Sequence, residues 1–354
     1  MLDYTKIQSE TFNFLRFILA VLVVFIHVPH PEYPSGFSWY AYVFFSQGIA
    51  RVAVPVFFLI SGYLFCSGLE QQWDWSLWRS KIKKRTKSLL LPYVLWTLLF
   101  SLYLIAPCFY GSSQLGWDGV VDWYKGHNGI YGIFWSNKLI DYPLWFIRDL
   151  IVMVAFSPLL YGFVKFLKQW GIVFLAVVYV LNLRIPIPGF STEAFLFFST
   201  GLYFRKFGLN IIAFSKRFSK WFYLFSILFL GFEVYFYGKN DSLALTIRYL
   251  FELFGVFSTF SLASHWVQRP KYTTNSFLAS SSFFIFAAHV PLMQTRFLFN
   301  IPQGYLLKLN GLFPGSAFVV YLLYVVLVVS MCLAIYWLMR RFLPKTTSVL
   351  CGGR

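Results

Sequence analysis

The stretch Phe12-Asn-Phe-Leu-Arg16-Phe-Ile-Leu-Ala-Val-Leu-Val-Val-Phe-Ile-His27 decides the fold class. It is apolar apart from three residues and, with its flanks, approaches the roughly 20 helical residues that cross a bilayer. Comparable runs recur over 12–29, 41–65, 88–106, 143–164, 169–184, 190–204, 221–237, 244–267, 276–298 and 315–339. With 58% hydrophobic and 12% charged residues, the 354-residue chain lacks the polar surface that a soluble protein needs. The expected fold is therefore all-α, a polytopic integral membrane helical bundle of about ten transmembrane helices, with one domain over 1–354. The longest segment between spans, 107–142, reads as a loop carrying Trp117, Trp123, Tyr124 and Trp135. The first run is not a cleaved signal peptide: it holds Arg16, lacks a small-residue exit site and ends in His-Val-Pro-His-Pro.

A net charge of +17 would suit nucleic acid if it were clustered on one surface. It alternates along the chain instead. Assigned to opposite sides of successive spans, Lys and Arg divide as 20 against 7, with Arg16, Arg51 and Arg148 inside spans. That asymmetry obeys the positive-inside rule and predicts both termini in the cytoplasm. The basic charge is topological, and no nucleic-acid partner is expected. Cys66, Cys108, Cys332 and Cys351 have neither paired nor metal-ligand spacing, and the five histidines are scattered, so no metal site is expected.

Ionisable groups inside spans cost roughly 2.5 kcal/mol or more, so they mark sites of function or pairing. Arg16 and His27 are eleven helical steps apart. At about 100° per residue that is within ~20° of three full turns, so both side chains share one face about 16 Å apart. A polar stripe of that kind predicts a buried functional channel. His27 is either a solvated histidine at the outer mouth or a general base, since a near-neutral imidazole can take a proton from a hydroxyl. Arg16 either snorkels to lipid phosphate or clamps an anionic substrate with its forked donors.

The second span reads Ala50-Arg51-Val-Ala-Val-Pro55-Val-Phe-Phe-Leu-Ile-Ser61-Gly62. Pro55 is expected to kink it around a cavity, and Ser61-Gly62 admits either close helix packing or a ligand. Packing would not explain Arg51. The run 79–87 holds six cations in nine residues. It is an inner-surface anchor or a cradle for a phosphorylated cofactor, with Lys84 and Arg85 the favoured contacts. In Tyr142-Pro-Leu-Trp145-Phe-Ile-Arg148-Asp149, the two charges either neutralise each other or, being about 100° apart on a helix, reach separate partners. His289, in Ser280-Ser-Ser-Phe-Phe-Ile-Phe-Ala-Ala-His289, is a packing or a catalytic histidine. Glu193 and Glu252 are further intramembrane carboxylates.

Five segments in order resemble the membrane acyltransferase 3 family. They are the Arg-x10-His of Arg16 and His27, Val54-Pro-Val-Phe-Phe-Leu-Ile-Ser-Gly-Tyr-Leu-Phe65, and the basic run into Leu91-Pro-Tyr-Val-Leu-Trp96. Leu144-Trp-Phe146 leading to Ser157-Pro-Leu-Leu160, and Ser282-Phe-Phe-Ile-Phe-Ala-Ala-His289, complete the set. The second and fourth spans are most similar to the branch that O-acetylates the amino sugar of enterobacterial common antigen. The resemblance implies a ten-span bundle in a bacterial inner membrane. It would take an acyl group, expected to be acetyl, from cytoplasmic acyl-CoA to a hydroxyl of an extracytoplasmic or lipid-linked glycan. It makes Arg16 and His27 essential. CoA would contact Arg16, Arg51, Lys84, Arg85 and Arg205; His27, Arg16, Arg148 and His289 would act at the thioester, with Ser61, Trp145 and Asp149 in the pocket. Direct transfer and an acyl-histidine intermediate are both open. Some members carry a fused periplasmic hydrolase-like domain, for which the sequence after the last span is too short. A transporter or flippase of a lipid-linked glycan is the rival, but it predicts a half-to-half repeat that the sequence lacks.

Overall fold

A computed structural model describes residues 4–30, 36–110, 116–137, 139–270 and 272–353. Pro31, Lys138, Lys271 and Arg354, and the side chains of Cys108 and Trp117, lie outside the described residues. Among those residues all regular structure is helical. Each of the ten expected runs falls on helix. Seven helices are long and apolar enough to cross a membrane. They are α1 (Tyr4–His27), α2 (Gly36–Phe65), α3 (Trp75–Ile105), α5 (Ser157–Val180), α9 (Asp241–Val267), α10 (Ser276–Met293) and α11 (Ser316–Phe342). Shorter helices intervene: α4 (Trp145–Ala155), α6 (Thr192–Lys206), α7 (Ile211–Arg217) and α8 (Ser219–Phe236).

Local chemistry sets the helix ends. α1 contains neither Gly nor Pro and stops before Pro29, whose ring disfavours helix at Val28. The α3 helix starts at Trp75, well before its apolar run, because Asp74 accepts from the backbone N–H groups of Ser76 at 2.7 Å and Leu77 at 3.1 Å. The basic run is thus the first turns of a helix that continues into the membrane. Asn275 caps α10 in the same way.

The α5 helix is not straight. Lys168 has φ 52° and ψ −133°, which no right-handed helix accommodates. The chain bends back there, so Leu160 and Phe163 on one leg face Phe174 and Val178 on the other across a shared cavity. The expected boundary between 164 and 169 therefore stands, although the hydrogen-bonding pattern runs on through it.

The bend in α2 is not where Pro55 predicts. A wide π-helical stretch (Val43–Gly48) runs into a tight 3-10 turn (Ile49–Val52), and regular helix resumes at Ala53. Pro55 sits in the first turn of that helix, where its missing N–H costs little. The irregular backbone instead brackets Arg51. Beyond it, α2 crosses α6 with almost no gap: a Cβ on Gly62 would meet the Phe198 carbonyl oxygen at 2.1 Å, and one on Gly201 the Leu59 oxygen at 2.1 Å. Gly62 is therefore a packing residue, and the Ser61 hydroxyl beside it makes no hydrogen bond among the described residues.

The segment 107–142 is helical in part (Pro107–Tyr110, Gly116–Gly126, Gly129–Phe134), not a plain loop. Trp135 packs against the core and Trp123 lies over His127 at 4.5 Å, so these two rings are already engaged.

Candidate active site

His27 ends α1 and lines a cavity of about 200 Å³ with Arg51 from α2, Trp145 from α4, Tyr179 from α5, and Glu193 and Glu252 from α6 and α9. His289 of α10 stacks on it, ring centroids 5.2 Å apart and planes 25° apart. Tyr142 packs edge-to-face with His27, ring centroids 4.8 Å apart and planes 78° apart. The two histidines, 262 positions apart in sequence, form one feature. His289 is wholly buried. Its Nδ1 lies 3.0 Å from the Ile285 carbonyl oxygen, which can only accept, so Nδ1 carries the proton. That leaves Nε2 without a hydrogen-bond partner among the described residues.

The cation in this cavity is Arg51. Gln47, one turn earlier, accepts a hydrogen bond from its Nη2, while its Nε has no partner. Arg248, one of the seven cations on the minority side of the charge division, lines the same cavity and pairs with buried Glu233 of α8 at 2.6 Å. Tyr179 donates to Glu252. Arg248, Glu233 and Tyr179 were not legible as site residues from the sequence. The spacing Arg248-x3-Glu252 puts both charges on one helix face and was the available signal.

Breaking a buried ion pair by deleting one partner costs about 3–5 kcal/mol, because the other charge is left uncompensated. Glu233→Ala is therefore expected to lower the thermal midpoint of the detergent-purified protein sharply. Glu233→Ala with Arg248→Ala should regain part of the loss, and equal midpoints for the single variant and wild type would contradict a stabilising pair.

Arg148 and Asp149 neutralise each other, and each also reaches a separate partner. Arg148 Nε and Nη2 donate to Asp149 Oδ1 at 2.9 and 2.7 Å, and Nη1 donates to the Ser136 carbonyl at 2.6 Å. Asp149 Oδ2 accepts from the Ser191 N–H at 3.3 Å, tying α4 to the start of α6. The pair lines an adjoining vestibule with Trp145, outside the His27 cavity wall. Asp141, next to Tyr142, is buried with neither carboxylate oxygen hydrogen-bonded, and burial holds its carboxyl well above the usual range.

At the opposite end of the shared face, Arg16 lies within electrostatic range of Arg85, and no carboxylate among the described residues pairs with either. Lys84 is exposed. Arg205 is already held, by Glu70 at 2.6 Å, with Ser67 and Tyr63 at 3.3 and 3.4 Å. Between Arg16 and His27 the stripe is interrupted: Leu19, Ala20 and Val23 lie on the same face and are buried. The polar stripe thus has two polar ends with buried apolar side chains between them. No group of His, Cys, Asp and Glu among the described residues is arranged to hold a metal.

A sequence profile of the acyltransferase domain matches residues 10–337. The succinoglycan biosynthesis protein ExoH of Rhizobium meliloti (strain 1021) is 26% identical over 363 residues, covering 98% of this chain and 92% of that protein. No solved structure matches the chain. With the profile spanning nearly the whole helical bundle and the Arg16–His27 face at its centre, the chain belongs to the acyltransferase 3 family of membrane proteins and is an acyl-transfer enzyme.

Proposed function

We propose that the protein is an O-acyltransferase of a bacterial inner membrane that moves a small acyl group, acetyl in the first instance, from cytoplasmic acyl-CoA to a glycan hydroxyl. The observation that carries this is the pairing of two unlike ends on α1. Arg16 and Arg85 form an unneutralised cationic site, and His27 borders a cavity that also holds Arg51. Two uncompensated guanidiniums in a partly buried setting favour an anion, and the phosphates of CoA supply one. Arg85 and Lys84 would meet the nucleotide end. Arg205, engaged by Glu70, would contribute only if that pair opens.

In the cavity, His27 removes the proton of the acceptor hydroxyl as its oxygen attacks the thioester carbonyl carbon. The unpartnered Nε of Arg51 is available to the developing oxyanion. Collapse breaks the carbon–sulfur bond, and the CoA thiolate leaves and takes the proton held by His27. His289, stacked on His27, fixes its ring plane. A cavity of about 200 Å³ admits a small acyl group. Glycan acceptance is supported by the relative's name, which places that protein in the making of succinoglycan.

The test is acyl-CoA turnover by the purified protein in nanodiscs, with acetyl- and succinyl-CoA compared and cell-envelope glycan added. Arg85→Gln is expected to raise KM for acyl-CoA about tenfold, the loss of one charge-assisted contact, with kcat nearly unchanged. No turnover of any acyl-CoA by folded wild type would sink the proposal.

A further inference from the structure

Three cavities of this protein share walls in a row. The His27 cavity has Trp145, Tyr179, Glu193 and Tyr249 in common with a polar vestibule of about 470 Å³. The vestibule in turn shares Ile185 and Thr192 with a groove of about 490 Å³ between the two legs of α5 and the start of α6. Phe163, Phe174, Val178 and Phe195 line that groove, and Thr192 is its one polar wall residue among the described residues.

Charge is ordered along the same row. Arg184, the neighbour of Ile185, stands in the vestibule with its Nε donating to Asn182 Oδ1 at 2.8 Å. No carboxylate among the described residues pairs with it, whereas the other vestibule arginine, Arg148, is neutralised by Asp149. Glu193 sits at the far wall, shared with the His27 cavity. From membrane to catalytic histidine the sequence is apolar groove, a cation with no carboxylate partner among the described residues, carboxyl and aromatic rings, then base.

The geometry points to an acceptor sugar delivered on a single-chain lipid phosphate of the polyisoprenyl type. Its chain lies in the groove, its phosphate at Arg184, and its sugar against Tyr249, Trp145 and Glu193, with one hydroxyl at His27. This rests on the acyl-transfer function proposed above for the His27 cavity. Ordinary bilayer lipid would fill an apolar furrow anywhere on the surface, but it has no use for one that shares walls with a polar vestibule holding a cation.

The experiment is photolabelling of the full chain in nanodiscs with a diazirine-tagged farnesyl diphosphate, followed by peptide mapping. Label is expected within residues 157–195. Undecaprenyl phosphate should compete at a tenfold lower concentration than phosphatidylglycerol. Arg184→Gln, at an exposed position where the fold is not at risk, should cut labelling about fivefold, the loss of one charge-assisted phosphate contact. Val178→Trp should abolish it by filling the groove. Equal competition by phosphatidylglycerol, label outside the groove, or indifference to Arg184→Gln would overturn the proposal. Labelling needs no turnover, so the two ideas fail separately. Acyl-CoA turnover without groove labelling overturns the lipid carrier alone, and groove labelling without turnover of any acyl-CoA overturns acyl transfer.

Discussion

His27→Ala is expected to reduce acyl transfer about a thousandfold while leaving the protein folded and able to bind acyl-CoA. General-base assistance contributes roughly 10² to 10⁴ in rate, and of the two carboxylates on the same cavity wall, Glu193 and Glu252, the latter already accepts from Tyr179. His289 is the nearest candidate, but its Nδ1 is committed to the Ile285 carbonyl and it stacks behind His27. Its own replacement, His289→Ala, should therefore cost less, about tenfold to a hundredfold, through loss of His27 orientation. The measurement is single-turnover transfer from radiolabelled acyl-CoA, with donor binding followed in parallel. Retention of wild-type transfer by His27→Ala would remove the base from the mechanism. Loss of donor binding in the same variant would move His27 from chemistry to donor recognition. His27→Gln separates hydrogen bonding from proton transfer, since the amide keeps the former and cannot perform the latter.

The second large effect concerns assembly. Gly62→Val or Gly201→Val should yield little or no monodisperse protein by fluorescence-detected size exclusion. The atom each change introduces falls about 2 Å from main chain that belongs to a different helix: Phe198 oxygen for Gly62, Leu59 oxygen for Gly201. A flexible side chain can move aside, but a helix backbone moves only with the whole helix. Overpacking of this rigid kind exceeds the usual ~1–3 kcal/mol of a crowded core. The α2–α6 crossing sets how Arg51 and Glu193 face each other across the His27 cavity, so even a rescued variant should lose activity. Gly162→Ala and Gly231→Ala are the controls. A Cβ at either meets nothing within 4 Å, and alanine there should be neutral or stabilising by up to about 1 kcal/mol. Normal yield from Gly201→Val would mean that the helices cross less closely than described.

The sequence disclosed those parts of the site that one helix carries by itself. The Arg16–His27 register is a property of the 3.6-residue repeat, so the shared face needed no tertiary knowledge. The helical runs were legible because hydrocarbon demands unbroken apolar stretches. What escaped was pairing between helices. Glu70 neutralises Arg205 from the connection after α2, and Glu233 neutralises Arg248 from α8. Neither partner is marked by periodicity, so Arg205 looked free and Arg248 looked superficial. The α2 distortion was misplaced for a related reason. Proline is a visible breaker, whereas the π and 3-10 stretches over 43–52 pack against α1 and α8, contacts that no local sequence signal announces.

The buried trio Leu19, Ala20 and Val23 has a consequence for the energetics of the cell. A membrane enzyme with charged crevices approaching each other from both faces is a potential short circuit for the proton gradient. About 16 Å of helix, filled on the critical face by hydrocarbon, acts as an electrical insulator between Arg16 and the His27 cavity. An acyl group tethered to a slender arm is itself apolar and could part those side chains, sealing the gap with its own bulk as it passes. Resting protein should accordingly add no measurable proton conductance to a vesicle. Replacing Ala20 or Val23 with serine or aspartate should turn the enzyme into a leak.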